Sequence, residues 1–502
     1  MEQVGINQWK GTNMDTIHKL DRMFKPESVA LIGASSKPYK WGFVILHNIK
    51  AGGYQGRVYP INPKEKDLLG YTVYPDLASV PDKIDLAIIA VPKDQALRTV
   101  EDCVSKGVGA IYMITAGFSE VGEEGRAMER RISEVCREAG IPLGGPNGQG
   151  IFSTGIRLYA QMAGYKPDPG KISLVSQSGN VASTVMHMAM MNSLGMSKFV
   201  SSGNEGALKF LDYMEYLGDD DETGVLALYL EGLRAGEGRR FIELSKRISA
   251  KKPVVLLKGG ETSAGAQAAA SHTAAMTAES ELFDAACRQS GVVKVQDIQH
   301  FFDVLSAFAT QPVPKGKRVA ILTVGGGWGV LAADMCEKMG LELAKLSEET
   351  IKKLDEHMPD WWPRSNPVDS AGGARKDTNS ESLRVLLDAP EVDSVIVCGG
   401  AGIAYLVGVR YANPIPEAEK HGMKQLAEML KAADMDTVSI FIELAANHRK
   451  PVILTSDTIL SSKIFGNEAL EKLEKAGLIT YPTPERAARA LAMLTEYAGK
   501  RM

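Results

Sequence analysis

The chain has 502 residues, 44% of them hydrophobic and 24% charged, with a formal net charge of −4. That length exceeds what a single hydrophobic core organises and points to about three domains, while the slight acidity gives no electrostatic footprint for a nucleic-acid partner. Five cysteines, Cys103, Cys136, Cys287, Cys336 and Cys398, form no Cys-x-x-Cys pair, which excludes a zinc ribbon or a disulfide framework and suits a reducing compartment.

Residues 1–26 are polar, with only isolated apolar positions, and no apolar run anywhere approaches membrane length. No signal peptide and no membrane partner are expected, and the cytoplasm is the expected location. The run Ser28-Val29-Ala30-Leu31-Ile32 predicts a buried strand entering a turn at Gly33, Ala34 and Ser35, with a helix over about 42–51. Further strands are predicted at 56–61, ending on Asn62-Pro63-Lys64, at 84–92, ending on Val91-Pro92-Lys93, and at 109–117, ending on Thr115-Ala116-Gly117; Gly145-Pro146-Asn147 closes this unit. Short apolar strands alternating with amphipathic helices imply a doubly wound parallel sheet, whose ligands bind beyond the carboxyl ends of the strands. Lysines and small residues at those ends suit a phosphorylated nucleotide. Ser35 stands at the second position of the Gly-x-Gly-x-x-Gly fingerprint, which disfavours a standard NAD site. Each turn alone would be an ordinary loop; their joint placement at successive strand ends is the signal.

A second unit opens after a polar, proline-containing connection at 165–170. Its first strand, 171–175, leads into Ser176-Gln177-Ser178-Gly179-Asn180 and a methionine-rich helix from Val181. A helix N-terminus there presents unpaired N–H groups and the positive end of the macrodipole, which suits a phosphate. Met186, Met188, Met190 and Met191 read as core filling. Strands at 198–201, 223–230 and 252–258 follow, and Glu231 stands at the carboxyl end of the second. The third runs into 259–275, where nothing apolar is larger than alanine, so packing offsets little of the entropy of ordering. Near the end of that stretch His272 lies between Ser271 and Thr273. Two readings stay open: an alanine-rich surface helix with an incidental histidine, or a mobile arm delivering an imidazole whose tautomer Glu231 would fix.

After a linker at 311–316, a strand at 318–324 enters Gly325-Gly326-Gly327-Trp328-Gly329 and another helix, repeating the earlier design. Strands at 394–398 and 450–454 continue it, and Lys450-Pro451-Val452 echoes Lys252-Pro253-Val254, so the second and third units read as diverged copies of one fold. The irregular stretch 360–369, with Trp361 and Trp362, reads as a loop over a site or as a plain hydrophobic anchor.

In this order the features resemble the alpha portion of the ADP-forming acyl-CoA synthetases, relatives of the succinyl-CoA synthetase alpha chain. Seven segments carry the resemblance across nearly the whole chain: residues 28–35, 61–64, 145–147, 175–179, 228–232, 271–273 and 366–369. The resemblance implies an α/β fold of three doubly wound parallel-sheet domains. These would be a Rossmann-like CoA-binding domain at 15–150 and two flavodoxin-like ligase domains of the succinyl-CoA-synthetase type, at 165–312 and 316–500, the first carrying the phosphohistidine loop. It further implies that coenzyme A lies along Gly33, Ala34, Ser35, Lys40, Asn62, Pro63, Lys64, Val91, Pro92, Thr115, Ala116, Gly117 and Asn147. Ser176, Gln177, Ser178, Gly179 and Asn180 would hold the phosphoryl group, His272 would be transiently phosphorylated, and Glu231 would position or stabilise it. The implied reaction activates a small carboxylic acid as an acyl phosphate, CoA thiolysis then gives the thioester, and the phosphohistidine relays the phosphoryl group to or from the nucleotide.

No residue is assigned to a metal. No segment after the third unit reads as an ATP-grasp domain, so ATP or ADP and Mg are expected on a separate beta subunit; a homo-oligomer is equally allowed. Two departures from the family pattern stand out: where Gly-Pro-Asn-Cys is common, this chain continues Asn147-Gly148-Gln149-Gly150 with no cysteine, and Trp328 stands where a smaller residue or proline is usual, its bulk expected to narrow or line a pocket. A CoA-dependent acyl or carbamoyl transferase and a CoA-sensing protein are the alternatives on this scaffold, and the intact His272 and Glu231 argue against both.

Overall fold

The computed structural model describes residues 19–265, 267, 280–373 and 377–501. The first sheet is built from β1 (Ser28–Ile32), β2 (Arg57–Ile61), β3 (Leu86–Ile89), β4 (Ala110–Met113) and β5 (Leu143–Gly144), all parallel, in the order β2-β1-β3-β4-β5. Every residue of β1, β3 and β4 is buried, as expected for parallel strands covered on both faces. That burial is why these strands appear in the sequence as continuous apolar runs. The helices α1 (Trp41–Gly52), α2 (Lys93–Lys106) and α3 (Glu123–Glu138) alternate with them.

The second sheet contains β6 (Gly150–Ser153), β7 (Leu158–Gln161), β8 (Pro169–Ser176), β9 (Met196–Ser201), β10 (Val225–Leu230), β11 (Val254–Lys258) and β12 (Val293–Val295), in the order β12-β11-β10-β8-β9-β6-β7. β8 to β12 are parallel neighbours, while the β6–β7 hairpin adds antiparallel to β9. Between the strands lie α4 (Gly179–Met191), α5 (Phe210–Asp219), α6 (Gly238–Ser249) and α7 (Ser280–Ser290). Both sheets belong to one unit, and Tyr112 of β4 helps to join them. Its buried hydroxyl donates to the Ser201 carbonyl at 2.6 Å and accepts the Gly150 N–H at 3.2 Å, the pairing a buried phenol requires. Of the methionines on α4, Met186 is in the core, whereas Met190 and Met191 are exposed; the expectation of a wholly buried methionine cluster fails because the exposed pair falls on the helix's outer face.

The C-terminal unit begins at Asp297 and includes α8 (Ile298–Thr310). Its sheet comprises β13 (Arg318–Thr323), β14 (Glu342–Leu343), β15 (Val368–Asp369), β16 (Ser394–Cys398), β17 (Val452–Thr455) and β18 (Thr480–Tyr481), in the order β14-β13-β16-β17-β18, with β15 paired to the end of β13. With the antiparallel hairpin β6–β7 and the short β15 set aside, the parallel strands of each of the three sheets follow the order 2-1-3-4-5 of flavodoxin-like folds. Helix α9 (Gly326–Lys338) follows β13, and α10 (Pro484–Arg501) closes the chain against α8, where Arg486 makes a two-pronged ion pair with buried Asp303 at 2.6 and 2.8 Å.

Of the tryptophan pair, one residue meets the anchor reading and neither lines a cavity. Trp362 is a buried anchor whose indole N–H donates to Asp355 at 2.7 Å, and Trp361 is 68% exposed. Asn366 substitutes for missing ladder bonds: it accepts from Ile321 N–H at 2.9 Å and donates to the carbonyls of Val319 and Ala344 at 2.8 and 3.0 Å. Among the described residues no helix is long and apolar enough to cross a membrane.

Candidate active site

A cavity of about 1190 Å³ opens in the N-terminal unit between the carboxyl ends of β3 and β4 and the N-terminus of α4. Val91, Pro92, Thr115, Ala116 and Asn147 line it from the first sheet, and Gln177, Ser178, Gly179 and Asn180 from the second. Gly33, Ala34, Ser35, Lys40, Asn62, Pro63, Lys64, Gly117, Ser176 and Glu231 do not line it. His272 lies outside the described residues.

The residues beyond the cavity wall have definite local tasks. Gly33 has φ +93°, and a Cβ there would meet the Ala90 carbonyl oxygen at 2.6 Å, so the β1 turn can lie against the end of β3 only as glycine. A Cβ on Gly42 would lie 2.0 Å from the Gly33 carbonyl oxygen, so α1 needs glycine where it crosses the turn. The Asn62 side chain is engaged with the backbone: Nδ2 donates to the Ala34 carbonyl at 2.7 Å, and Oδ1 accepts the Lys64 N–H at 2.8 Å. It ties the turn after β1 to the turn after β2. Gly117 N–H donates to the Glu120 carboxylate. Burial alone would raise the Glu120 pKa, but the Gly117 N–H and the Asn204 amide outweigh it and hold the carboxyl below its ordinary range.

At the turn before α4, the Ser176 hydroxyl donates to the Ser178 carbonyl at 2.6 Å and accepts the Ser178 N–H at 3.1 Å. The Ser178 hydroxyl accepts the Val181 N–H at 3.3 Å, capping the first turn of α4. Gly179 and Asn180, which open the helix, line the cavity wall. The Gln177 side chain turns back to the protein, where its Oε1 accepts the N–H groups of Glu231 and Gly232 at 2.6 and 3.1 Å. Glu231 thus sits at the end of β10 with its backbone braced, and the Tyr229 hydroxyl approaches its carboxylate at 3.4 Å.

Several cavity residues were not anticipated from the sequence. Gln149 donates through Nε2 to the Ser183 hydroxyl at 2.5 Å, and its methylenes lie 3.1–3.4 Å from where a Cβ on Gly179 would be, so it crosses from the first sheet's last turn to α4. Asn204, Glu205, Lys209 and Arg234 supply the polar wall after β9 and β10. Burial, reinforced by the neighbouring charge of Arg234, pushes the Lys209 ammonium down to about 8. The signal that could have found the turn holding Asn204 and Glu205 was present: it follows a strand's carboxyl end, like the turns that were singled out.

The C-terminal unit has a smaller cavity, of about 490 Å³, at the start of α9. Gly325, Gly326, Gly327 and Trp328 line it with Arg410, Asp457 and Thr458, so the tryptophan at this turn does form pocket wall. Among the described residues no group of three or more His, Cys, Asp or Glu side chains is placed to hold a metal ion.

Residues 27–153 match the CoA binding domain, residues 169–308 the succinyl-CoA ligase like flavodoxin domain, and residues 319–415 the ligase-CoA domain. Three parallel sheets with these matches define a CoA-binding ligase chain. It is 37% identical to the acetate–CoA ligase [ADP-forming] II subunit alpha of Pyrococcus furiosus, over 95% of this chain and 98% of that one. It is 40% identical to the acetate–CoA ligase [ADP-forming] I of Archaeoglobus fulgidus over 75% of this chain, but over only 54% of that protein. Its structure is similar to that of the dinucleotide forming acetyl-coenzyme A synthetase 1 of Ca. Korarchaeum cryptofilum in complex with phosphate and ADP, with a TM-score of 0.83, 32% identity and coverage of 96% of this chain and 97% of that one. The chain belongs to the alpha subunits of the ADP-forming acetate–CoA ligase family, related to succinyl-CoA synthetase alpha, and is an NDP-forming acyl-CoA synthetase subunit.

Proposed function

We propose that this subunit carries the acyl-transfer and phosphoryl-relay half of the ligase, and that a separate ATP-grasp beta subunit binds ATP or ADP with Mg. The observation that carries this reading is the single cavity bordered by both the CoA-domain strand ends and the N-terminus of α4. A thioester-forming centre needs an acyl phosphate within reach of a thiol, and one void bordered by both elements allows that proximity. The residues fit coenzyme A: the first-sheet wall sets small residues at the strand ends (Ala90, Val91, Thr115, Ala116) beside the cations Lys93, Arg126 and Arg130, which suit a phosphorylated ligand, and Asn147 adds a polar group. Gly33, Ala34, Ser35, Lys40, Asn62, Pro63, Lys64 and Gly117 would form the outer edge of that site, toward the nucleotide part. Coenzyme A would supply the thiol that accepts the acyl group.

In this reading Ser178, Gly179 and Asn180 orient the phosphoryl group through the N–H groups of α4. His272 is the phosphoryl acceptor, attacking through an uncharged ring nitrogen, and Glu231 holds the imidazole's other N–H. The two curated relatives named above are acetate–CoA ligases, so acetate and short related carboxylic acids are the first substrates to try.

The test is to copurify the chain with its beta partner and add gamma-labelled ATP with magnesium. An acid-labile, base-stable label mapping to His272, discharged by coenzyme A plus carboxylate, is the expected result. Absence of label with coenzyme A still bound would replace this reading with a transferase or a sensor.

A further inference from the structure

The turn after β9 holds Glu205 at φ +58°, a left-handed conformation that is strained for any side chain other than glycine. Such strain persists only when its surroundings over-determine it, and here they do. The Glu205 carbonyl accepts from Arg234 Nη2 at 2.7 Å and from Lys209 Nζ, while the Asn204 and Gly206 carbonyls also accept from Arg234 and Lys209, at 2.7 and 3.0 Å.

The conformation aims the carboxylate inward, where the residue is only 5% exposed. Its Oε1 accepts from Gln177 Nε2 at 2.8 Å and from the Ser202 hydroxyl at 3.1 Å. A primary amide can be turned either way round, but a carboxylate accepts only, so Glu205 selects the orientation in which Gln177 gives it the NH2 group. The amide oxygen must then face the N–H groups of Glu231 and Gly232, as it does. The same NH2 group donates to the Gly232 carbonyl at 3.0 Å, closing the brace.

We infer that Glu205 is a positioning residue for the phosphoryl-transfer step, acting through Gln177 to set the backbone that carries Glu231. The inference rests on the proposed role of Glu231. Its neighbour Asn204 accepts from the Asn147 amide at 3.1 Å and donates to Glu129 at 2.9 Å, so the turn also reaches the CoA-domain wall.

The informative variant is Glu205→Gly, which removes the carboxylate while relieving the backbone strain, so loss of rate is not loss of fold. In the reconstituted alpha–beta enzyme, kcat should fall about tenfold or more with the KM for coenzyme A changed by less than about twofold. Glu205→Gln, which keeps an acceptor for Gln177, should recover a large part of that rate. In a Glu231→Gln background Glu205→Gly should have little further effect, because both act on one group. Wild-type kcat in Glu205→Gly beside a slowed Glu231→Gln, or fully additive losses, would overturn the inference. Wild-type kcat in Glu231→Gln would instead overturn the role given to Glu231.

Discussion

Ser176 and Thr323 close the same turn in two successive sheets. Each hydroxyl donates to the carbonyl two residues on, at 2.6 and 2.8 Å, and accepts that residue's N–H, at 3.1 and 3.2 Å. A long helix starts immediately afterwards in both cases, at Gly179 and Gly326. The shared device, with the shared strand order, makes the second and third sheets variants of one architecture, each presenting a helix N-terminus beyond its first strand.

Removing either hydroxyl leaves a part-buried N–H without its acceptor. Ser176→Ala and Thr323→Ala should each cost about 1–3 kcal/mol in urea denaturation. Ser176→Ala should also lower the phosphoenzyme level, because the turn that aims α4 is loosened; Thr323→Ala with an unchanged midpoint would deny the turn its structural role.

His272→Ala should abolish phosphoryl labelling of this subunit and leave coenzyme A affinity within about twofold, since the cavity wall is built without it. Labelling and titration calorimetry on the same preparation separate the two effects; joint loss would mean that the substitution disturbs the fold.

Lys64 sits at the carboxyl end of β2, outside the cavity, where only a charged extension of the ligand could reach it. Lys64→Ala should weaken coenzyme A binding at low salt, and the difference from wild type should shrink as salt screens the interaction. Equal affinities at low salt would place the nucleotide elsewhere.

Lys209 makes the unit's stability depend on pH in a defined direction. Its folded pKa of about 8 lies below the ordinary 10.5, so between those values the unfolded chain binds more protons than the folded one. The penalty for burying the charged ammonium is full below about 8 and is relieved as pH rises to about 10.5. Wild type should therefore gain stability relative to Lys209→Met across that window. Denaturation of both proteins over the window checks this; a constant difference would contradict it.

Gln149 bridges the first sheet's last turn to α4 and fills space beside Gly179 and Ser183. Gln149→Ala should open the cavity there and raise kcat/KM for longer acids relative to acetate, by about tenfold or more per added methylene accommodated. An unchanged ratio across an acid series would locate the acyl pocket away from Gln149.

Much of the architecture was legible because its causes are local. Parallel strands buried on both faces must be apolar throughout, which made β1, β3, β4, β8, β10, β11, β13 and β16 visible as runs. Their ends were visible as Gly, Pro, Asn and Ser, since a chain reversing beside a neighbouring strand needs φ > 0 or a small residue, as at Gly33. The ligase resemblance followed from the order of those turns. The β6–β7 hairpin was not legible, because its two strands are only four residues long and their burial comes from adding to the β9 edge.

The sequence by itself determined the strand–helix alternation, the turns that border the cavity and the helix that opens at Gly179. Tertiary structure alone decided which turns share one void, that Asn62 holds backbone, that Gln149 reaches α4, and that Glu205 controls Gln177. The physical reason is distance along the chain. Glu205 and Gln177 are 28 residues apart, and Gln177 and Glu231 are 54 apart. Their hydrogen bonds exist only once β8, β9 and β10 lie side by side, so no local pattern of residue types records them.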